Sequence, residues 1–316
     1  MGSSEAVDTI THPTSAVAAG AKRPRPRRSR RRRVPLGYML IAPVVLYETV
    51  FLLYPMYRGL ELGLQTPGGG HGLKNYHRLI NDSLFWDTVK TTIEYTAAVV
   101  VFSLLVGLGT ALLMNATFKG RGLVRGLLTT SWAFPDVPTT IAFLWMLNPT
   151  FGVANVFARW LPWVHDNPQW LNSEKLAMFC VIVITVWKGF PFYGLVILAA
   201  LQTVSSDLYE AARVDGASAF ARFRYVTLPA IVPTLSLLAI LASIFGIQQF
   251  TLIYLTTGGG PVNATQTLAI DIYQQAFRFY DFSYASTVAA AGVVTSAIAV
   301  VLFIFIERRF GVGELS

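Results

Sequence analysis

The sequence predicts an all-α, polytopic membrane protein with six transmembrane helices. Of its 316 residues, 53% are hydrophobic and only 13% are charged, whereas an average soluble domain carries about 25% charged residues. Six apolar runs are each long enough to cross a bilayer; they lie at residues 36–57, 88–114, 126–147, 176–202, 228–256 and 284–306. An even number of spans predicts that both termini lie on the same side of the membrane.

Residues 1–33 are predicted to be a disordered basic tail. Nine of the 25 basic residues lie between Lys22 and Arg33, directly before the first apolar run. A basic block in this position is typical of an anchor attracted to anionic membrane lipid, and no folded basic module for nucleic acid accompanies it. The first run is longer than a signal-peptide core and has no small-residue cleavage site after it, so we expect it to remain as a span.

The distribution of basic residues predicts that both termini are cytoplasmic. The side of the tail carries 17 basic residues and the opposite side 7, which follows the positive-inside rule. Without the tail the counts are 8 and 7, so the tail decides the orientation. The predicted divisions are the tail at 1–33, the first span and an outer loop at 34–87, a five-helix core at 88–306 with a cytoplasmic loop at 204–229, and a cytoplasmic C-terminal tail at 307–316.

The sequence offers no set of catalytic or metal-binding residues. It has no Gly-x-Ser-x-Gly, His-Glu-x-x-His or Walker glycine loop, and the single Cys180 allows no disulfide within the chain. Charged residues inside the spans mark ion or substrate paths; here they are few and include Glu48, Glu94, Asp136 and Lys188. For Asp136 and Lys188, an ion pair and a substrate role both remain open. We expect no enzyme activity, so energy for transport has to come from another subunit.

The segment "EAARVDGASAFARFRYVTLP" (210–229) is a polar interruption between two apolar runs. Asp207, with an acid three residues later, resembles a capping box at the start of a short helix. Gly216 suits a positive φ at its end, and Ser218 can cap a second short helix that stops at Pro229. From the residues alone, two interpretations remain: a helix–turn–helix that a soluble partner grips, or an amphipathic connector lying on the lipid surface.

This segment resembles the EAA signature of bacterial ABC-importer permeases of the carbohydrate-uptake type. Segments 73–95, 134–155, 187–218 and 250–277 are also similar to maltose and glycerol-3-phosphate permeases, the last through its "TGGGP" sequence. The resemblance implies a type I ABC-importer permease core in a bacterial inner or plasma membrane, with coupling helices that dock into an ATPase. The coupling residues it implies are Glu210, Ala211, Ala212, Asp215, Gly216, Leu228 and Pro229.

The resemblance also implies partners. They are a second homologous permease, two ATPase subunits that use ATP and Mg, and an extracytoplasmic solute-binding protein, either lipoprotein or periplasmic, that delivers a sugar. No cofactor is expected on this chain itself. Two alternatives stay open: an ABC permease for another solute, such as a glycerophosphodiester or an amino acid, or a secondary transporter or channel that needs no ATPase.

Resemblance to the maltose permease implies a set of sugar-contacting positions. Sugar sites combine aromatic faces with amide and hydroxyl groups. The implied residues are Thr185 and Gly189 on span four, Phe245, Gly246 and Gln249 on span five, and Asp136 and Thr139 on span three. Small and hydroxylated residues are also the usual packing residues between membrane helices, so helix packing is the alternative for each. Pro135, Pro138 and Pro191 are expected to shape their helices.

Overall fold

The computed structural model describes residues 36–66 and 70–309, and these are mostly helical. The tail predicted at 1–33 and the C-terminal residues 310–316 lie outside the described residues. The helices are α1 (Leu36–Glu48), α2 (Tyr54–Gly63), α3 (Lys74–Ile80), α4 (Ser83–Asn115), α5 (Arg121–Ala133), α6 (Asp136–Met146), α7 (Ala154–Ala158), α8 (Glu174–Gln202), α9 (Ser206–Val214), α10 (Ala219–Arg222), α11 (Leu228–Ile247), α12 (Thr251–Thr256), α13 (Leu268–Tyr273) and α14 (Phe282–Arg309), with π-helical turns at 49–53, 223–227 and 274–278.

The chain divides into two compact units, residues 1–52 and 53–316. In the first unit the described residues form α1 and most of the π-helical turn that follows it. The Thr49 hydroxyl donates to the Val45 carbonyl oxygen at 2.7 Å, and the rings of Tyr47 and Phe51 are 4.8 Å apart. This unit therefore supplies the beginning of the first apolar helix.

Five continuous helices of the described residues are long and apolar enough to cross a membrane. They are Gly37–Gly63, Ser83–Asn115, Glu174–Gln202, Ala219–Ile247 and Phe282–Leu302. They correspond to five of the six predicted spans, and α8 stays continuous although it contains Pro191.

The predicted third span, at 126–147, consists of two helices, because the chain is interrupted there. α5 ends at Ala133, and Phe134 and Pro135 are extended, with ψ of 139° and 152°. Proline has no N–H and forces the residue before it out of the helical region, which explains the break. Pro138 falls in the first turn of α6, where a missing N–H is tolerated. The predicted fifth span is also interrupted, between Ile247 and Thr251.

The core of the second unit is the crossing of α4 and α8. Gly107 on α4 faces Tyr193 and Gly194 on α8 so closely that a Cβ added at Gly107 would lie 2.8 Å from the Tyr193 Cβ. Small residues allow membrane helices to approach in this way. A buried apolar cluster that includes Tyr193 joins α4, α8 and α11 through Met114, Ile197 and Leu238, among others.

The two halves of the broken third span pack against different neighbours. α5 lies against α8, whereas α6 lies against α12. α11, which precedes the second interruption, packs mainly on α4. In each interrupted span, the first helix (α5 or α11) contacts the α4–α8 core. The second helices, α6 and α12, contact each other.

The segment between α12 and α14 is held together by buried polar groups. Asp271 on α13 is 2% exposed, and its Oδ1 accepts hydrogen bonds from the side-chain amides of Gln266 at 3.3 Å and Gln275 at 3.2 Å. Burial is the main cause that raises the pKa of the Asp271 carboxyl above its ordinary value. A raised native pKa means that the stability contributed by this group is full at low pH and falls as the pH rises through that pKa.

Candidate functional site

A cavity of about 390 Å³ lies where α4, α8 and α11 meet the two helix interruptions. Its wall contains both polar groups and aromatic rings. Interrupted helices at membrane depth are tolerated where they line such a space, because freed backbone groups need polar neighbours or water. The cavity is therefore a place within the spans where a polar solute can be accommodated.

Six of the seven residues predicted to contact substrate line this one cavity: Asp136, Thr185, Gly189, Phe245, Gly246 and Gln249. The structure does not bring Thr139 to it. Thr139 is 5% exposed, its hydroxyl donates to the Pro135 carbonyl oxygen at 2.8 Å, and it borders a separate, apolar pocket with Phe134 and Phe143. Thr139 thus serves the local structure of α6.

Thr185 has little hydrogen-bonding capacity left for a ligand. Its hydroxyl donates to the Val181 carbonyl oxygen at 2.9 Å, and the Tyr95 hydroxyl lies 2.9 Å away. Because the only hydroxyl hydrogen of Thr185 is used on its own helix, Tyr95 donates in this pair, and one lone pair of Thr185 remains.

The two predicted glycines of the wall differ in how tightly they are packed. A Cβ on Gly246 would lie 2.9 Å from the Thr96 Cγ2, so Gly246 allows α11 to approach α4. A Cβ on Gly189 would lie 3.5 Å from the nearest side-chain atom, on Tyr193, which is ordinary contact. Helix packing therefore accounts for Gly246, but it does not account for Gly189.

Asp136 and Lys188 form an ion pair and also line the cavity. The Lys188 Nζ lies 3.5 Å from the Asp136 Oδ1 and donates to the Trp132 carbonyl oxygen at 3.2 Å. The Lys188 side chain is 15% exposed and the Asp136 side chain 45%. An ion pair between the two residues and a substrate role for them, both left open by the sequence, are thus compatible.

Sequence reasoning missed several residues of the wall. Ser103, Trp132, Tyr193 and Gln248 also line the cavity, and the Ser103 hydroxyl is buried with no hydrogen-bond partner among the described residues. The neighbouring Gln249 could have drawn attention to Gln248. Ser103 carries no such signal, because a lone serine in an apolar span does not show which face it occupies.

The loop 204–229 forms two helices separated by a tight, hydrogen-bonded turn. α9 ends in a Schellman motif: Gly216 has φ 75°, its N–H donates to the Arg213 carbonyl, and the Ala217 N–H donates to the Ala212 carbonyl. The Ser218 hydroxyl caps α10 by accepting from the Ala221 N–H at 3.2 Å. The predicted glycine end and serine cap are therefore observed.

The start of α9 differs from the prediction. The N-cap is Ser205, whose hydroxyl oxygen accepts from the Asp207 N–H at 3.2 Å. Asp207 lies inside the first turn, where an acid is favourable because of the helix dipole. The capping-box reading of Asp207 was wrong because a serine two residues earlier occupies the cap.

The second helix of the loop does not stop at Pro229, as we expected. α10, the π-helical turn 223–227 and α11 are one continuous helix from Ala219 to Ile247. In a π-helical turn each N–H bonds to the carbonyl five residues earlier, as the Leu228 N–H does with Phe223. Pro229 therefore lies inside a continuous helix, directly after the π-helical turn, so the N–H that proline lacks falls where the hydrogen-bond pattern of the helix changes.

Most of the predicted coupling residues lie on the loop surface. Glu210, Ala211, Asp215 and Gly216 are exposed, whereas Ala212, Leu228 and Pro229 are partly buried. Four large apolar side chains are also exposed there: Leu208 (53%), Val214 (88%), Phe220 (76%) and Tyr225 (77%). Among the side chains that the structure describes, those of residues 37–66, 70–302, 304 and 305, no basic group lies within the 4.0 Å ion-pair distance of the Glu210 carboxylate.

Comparison with known proteins identifies similar sequences over most of the chain. Residues 96–310 match the family described as "Binding-protein-dependent transport system inner membrane component". The sulfoquinovosyl glycerol transport system permease protein SmoG of Agrobacterium fabrum is 33% identical over 280 residues, 86% of this chain and 90% of that protein. The trehalose/maltose transport system permease protein MalF of Thermococcus litoralis is 33% identical over 272 residues, 84% of this chain and 90% of that protein.

Solved structures share the fold. One chain of the crystal structure of a bacterial alginate ABC transporter, in complex with an alginate pentasaccharide-bound periplasmic protein, superposes with a TM-score of 0.78. The superposition covers 88% of this chain and 96% of that chain at 23% sequence identity. The family match spans both the cavity and the loop 204–229.

Proposed function

Because the chain belongs to the family of binding-protein-dependent transport system inner membrane components, we propose that it provides the pathway by which an ATP-driven importer carries a sugar across the membrane. The chain is a multi-pass inner-membrane permease subunit of an ABC importer that works with a binding protein. We propose three further points: that the transported solute is a sugar, which subunits form the importer, and how the chain is oriented in the membrane.

The observation that carries the sugar proposal is the composition of the cavity wall. Sugars present hydroxyl groups at their edges and apolar C–H patches on their faces. The wall provides amides at Gln248 and Gln249 for the hydroxyls and rings at Phe245 and Trp132 for the faces. The named substrates of the similar permeases, a sulfoquinovosyl glycerol and trehalose or maltose, are sugars or sugar derivatives.

We propose that the loop 204–229 is cytoplasmic and couples the chain to the ATPase. The exposed Glu210 carboxylate and the apolar side chains of Val214, Phe220 and Tyr225 form a surface suited to a protein partner. Covering such side chains with a partner removes apolar surface from water, which favours association. In this proposal the assembly holds one further permease and two ATPase subunits, which bind ATP and Mg, and the extracytoplasmic binding protein delivers the sugar.

Reconstitution into proteoliposomes tests the proposal. The chain is combined with its partner permease, the ATPase and the binding protein, and uptake of radiolabelled maltose, trehalose and related sugars is measured with and without ATP. We expect ATP-dependent uptake of at least one sugar. Glu210→Arg reverses the charge on the docking surface and should lower that uptake at least tenfold, the effect of losing about 1.4 kcal/mol of contact energy.

A matched variant separates the charge from the loop structure. Glu210→Asp keeps the carboxylate and should retain most of the uptake. Uptake that proceeds without the ATPase, or that is the same in Glu210→Arg and wild type, would refute the coupling role and favour a secondary transporter.

A further inference from the structure

Lys188 is a charged residue at an unfavourable depth in the fold. It lies 14 residues from each end of α8, which is about 21 Å of helix in either direction. Charged side chains in the middle of a span are costly, and those present usually serve a function. The ion pair with Asp136 offsets part of this cost, yet Asp136 is about three times as exposed as Lys188.

Lys188 connects the two ends of the interruption in the third span. In a continuous helix the Trp132 carbonyl oxygen would accept the N–H of Asp136, four residues on, but the chain leaves the helix at Phe134. The Lys188 ammonium takes over that carbonyl oxygen. Its ionic partner, Asp136, is the first residue of α6, where a carboxylate is also favoured by the helix dipole.

This arrangement leaves hydrogen-bonding capacity toward the cavity. An ammonium has three N–H donors, and those of Lys188 have two neighbours, the Trp132 carbonyl oxygen and the Asp136 Oδ1. Among the described residues, the carboxylate of Asp136 has one polar contact, that of its Oδ1 with Lys188, and its second oxygen has none. A free donor and a free acceptor therefore stand side by side in the wall.

We propose that Lys188 and Asp136 together bind two neighbouring hydroxyl groups of the transported sugar. One hydroxyl donates to the Asp136 carboxylate, and the oxygen of the adjacent hydroxyl accepts from the Lys188 ammonium. Trp132 and Phe245 in the same wall provide apolar surface for the sugar ring. This inference rests on the proposed sugar transport, and it adds Lys188 to the residues that touch substrate.

A purely structural ion pair would behave differently. Replacing both members of such a pair by neutral residues is often neutral for stability, and it would not change which hydroxyls matter for transport. The proposal is therefore tested by the recognition of individual hydroxyl groups, a readout that a structural role does not affect.

The experiment measures uptake of one sugar and of its monodeoxy analogues by the complete reconstituted importer. The sugar is the one among maltose, trehalose and related sugars that the wild-type complex imports. The binding protein is saturated with each compound, so that its own affinity does not enter. We compare wild type with Lys188→Met, with Asp136→Asn and with Lys188→Met combined with Asp136→Asn, which leaves no charge unpaired. Lys175→Met, an exposed lysine on the same helix, is the control.

We expect wild type and Lys175→Met to import two analogues, which lack neighbouring hydroxyls, about tenfold or more slowly than the parent sugar, because a hydrogen bond to a charged group is worth about 1.5–3 kcal/mol. Lys188→Met should import the parent sugar about as slowly as the analogue that lacks the accepting hydroxyl. Asp136→Asn should import the parent sugar about as slowly as the analogue that lacks the hydroxyl donating to the carboxylate. If Lys188→Met is not assembled, the combined variant should show both losses.

Three results would overturn the proposal or its premise, and they can be told apart. If the variants still import the parent sugar faster than the two analogues by the same ratio as wild type, whatever their absolute rate, the pair is structural and the proposal is wrong. If wild type treats all monodeoxy analogues alike, no hydroxyl pair is read and the proposal is also wrong. If the wild-type complex imports no sugar at all, the proposed function itself fails.

Discussion

The crossing of α4 and α8 predicts the effect of adding a single methyl group. In Gly107→Ala the new Cβ would lie 2.8 Å from the Tyr193 Cβ, 3.2 Å from the Gly194 nitrogen and 3.3 Å from the Tyr193 carbonyl carbon. Non-bonded carbon atoms prefer about 3.5–4.0 Å, so the two helices have to separate by almost 1 Å. The three opposing atoms are backbone atoms of α8 or the Cβ attached to it, so they can move away only if the α8 backbone moves.

The size of the effect follows from two opposing contributions. Overpacking of a well-packed core costs about 1–3 kcal/mol, whereas alanine is favoured over glycine inside a helix by about 1 kcal/mol. Gly109→Ala, two residues further along α4, is the matched control, because a Cβ there meets nothing within 4 Å. The difference between the two variants isolates the clash, and we expect Gly107→Ala to be the less stable by about 1–3 kcal/mol.

The single cysteine of the chain offers an assay. Cys180 is 3% exposed, so a thiol-reactive dye reports its exposure as the protein unfolds in detergent on heating. We expect a midpoint for Gly107→Ala that is lower than that of Gly109→Ala by roughly 2–12 °C.

The partner glycine on α8 adds a rescue experiment. A Cβ on Gly194 would lie 2.6 Å from the Thr110 Oγ1, and Thr110→Ala removes that atom. Gly194→Ala should therefore be destabilising alone and partly restored by Thr110→Ala. Equal midpoints for Gly107→Ala and Gly109→Ala, or no rescue of Gly194→Ala, would refute the claim that close backbone approach holds this crossing together.

Two further predictions follow from the buried acid and from the glycines of the cavity. Asp271→Asn removes a carboxyl whose pKa is raised by burial, so the unfolding midpoint of the variant should equal or exceed that of wild type at pH 7. As the pH is lowered from about 7 to about 4, the midpoint of wild type should rise relative to that of the variant. A constant difference between the two midpoints over that range would contradict the raised pKa. Gly246→Ala should lower the unfolding midpoint because its Cβ meets Thr96. Gly189→Ala should fold normally and place a methyl group in the cavity wall. Equal unfolding midpoints for these two variants would show that Gly246 is not a packing residue.

Several features of the fold could be predicted from local sequence. Gly216 at the end of α9 and Ser218 at the start of α10 follow from backbone preferences that depend on a few neighbouring residues. Apolar length located five of the six spans. The same rule merged α5 and α6 into one span, because a hydropathy window averages over the effect of Pro135, which was visible in the sequence.

The candidate site was predictable in position but not in its bonds. Resemblance identified Asp136 and Gln249, which the structure brings to one cavity. The bond from Lys188 to the Trp132 carbonyl could not be foreseen, because that carbonyl is free only where the helix is interrupted. Ser103 was missed for a related reason: the face of a span that meets the cavity depends on how the helices pack.

The continuity of the helix from Ala219 to Ile247 has a mechanical consequence. Its 29 residues make a rod of about 43 Å, with the exposed loop at one end and Gln248, in the cavity wall, at the other. If this helix turns as one body, a tilt of about 10° about one end would move the other by about 7 Å. A displacement of the loop would then reach the cavity through one continuous helix, in which the π-helical turn 223–227 joins α10 to α11.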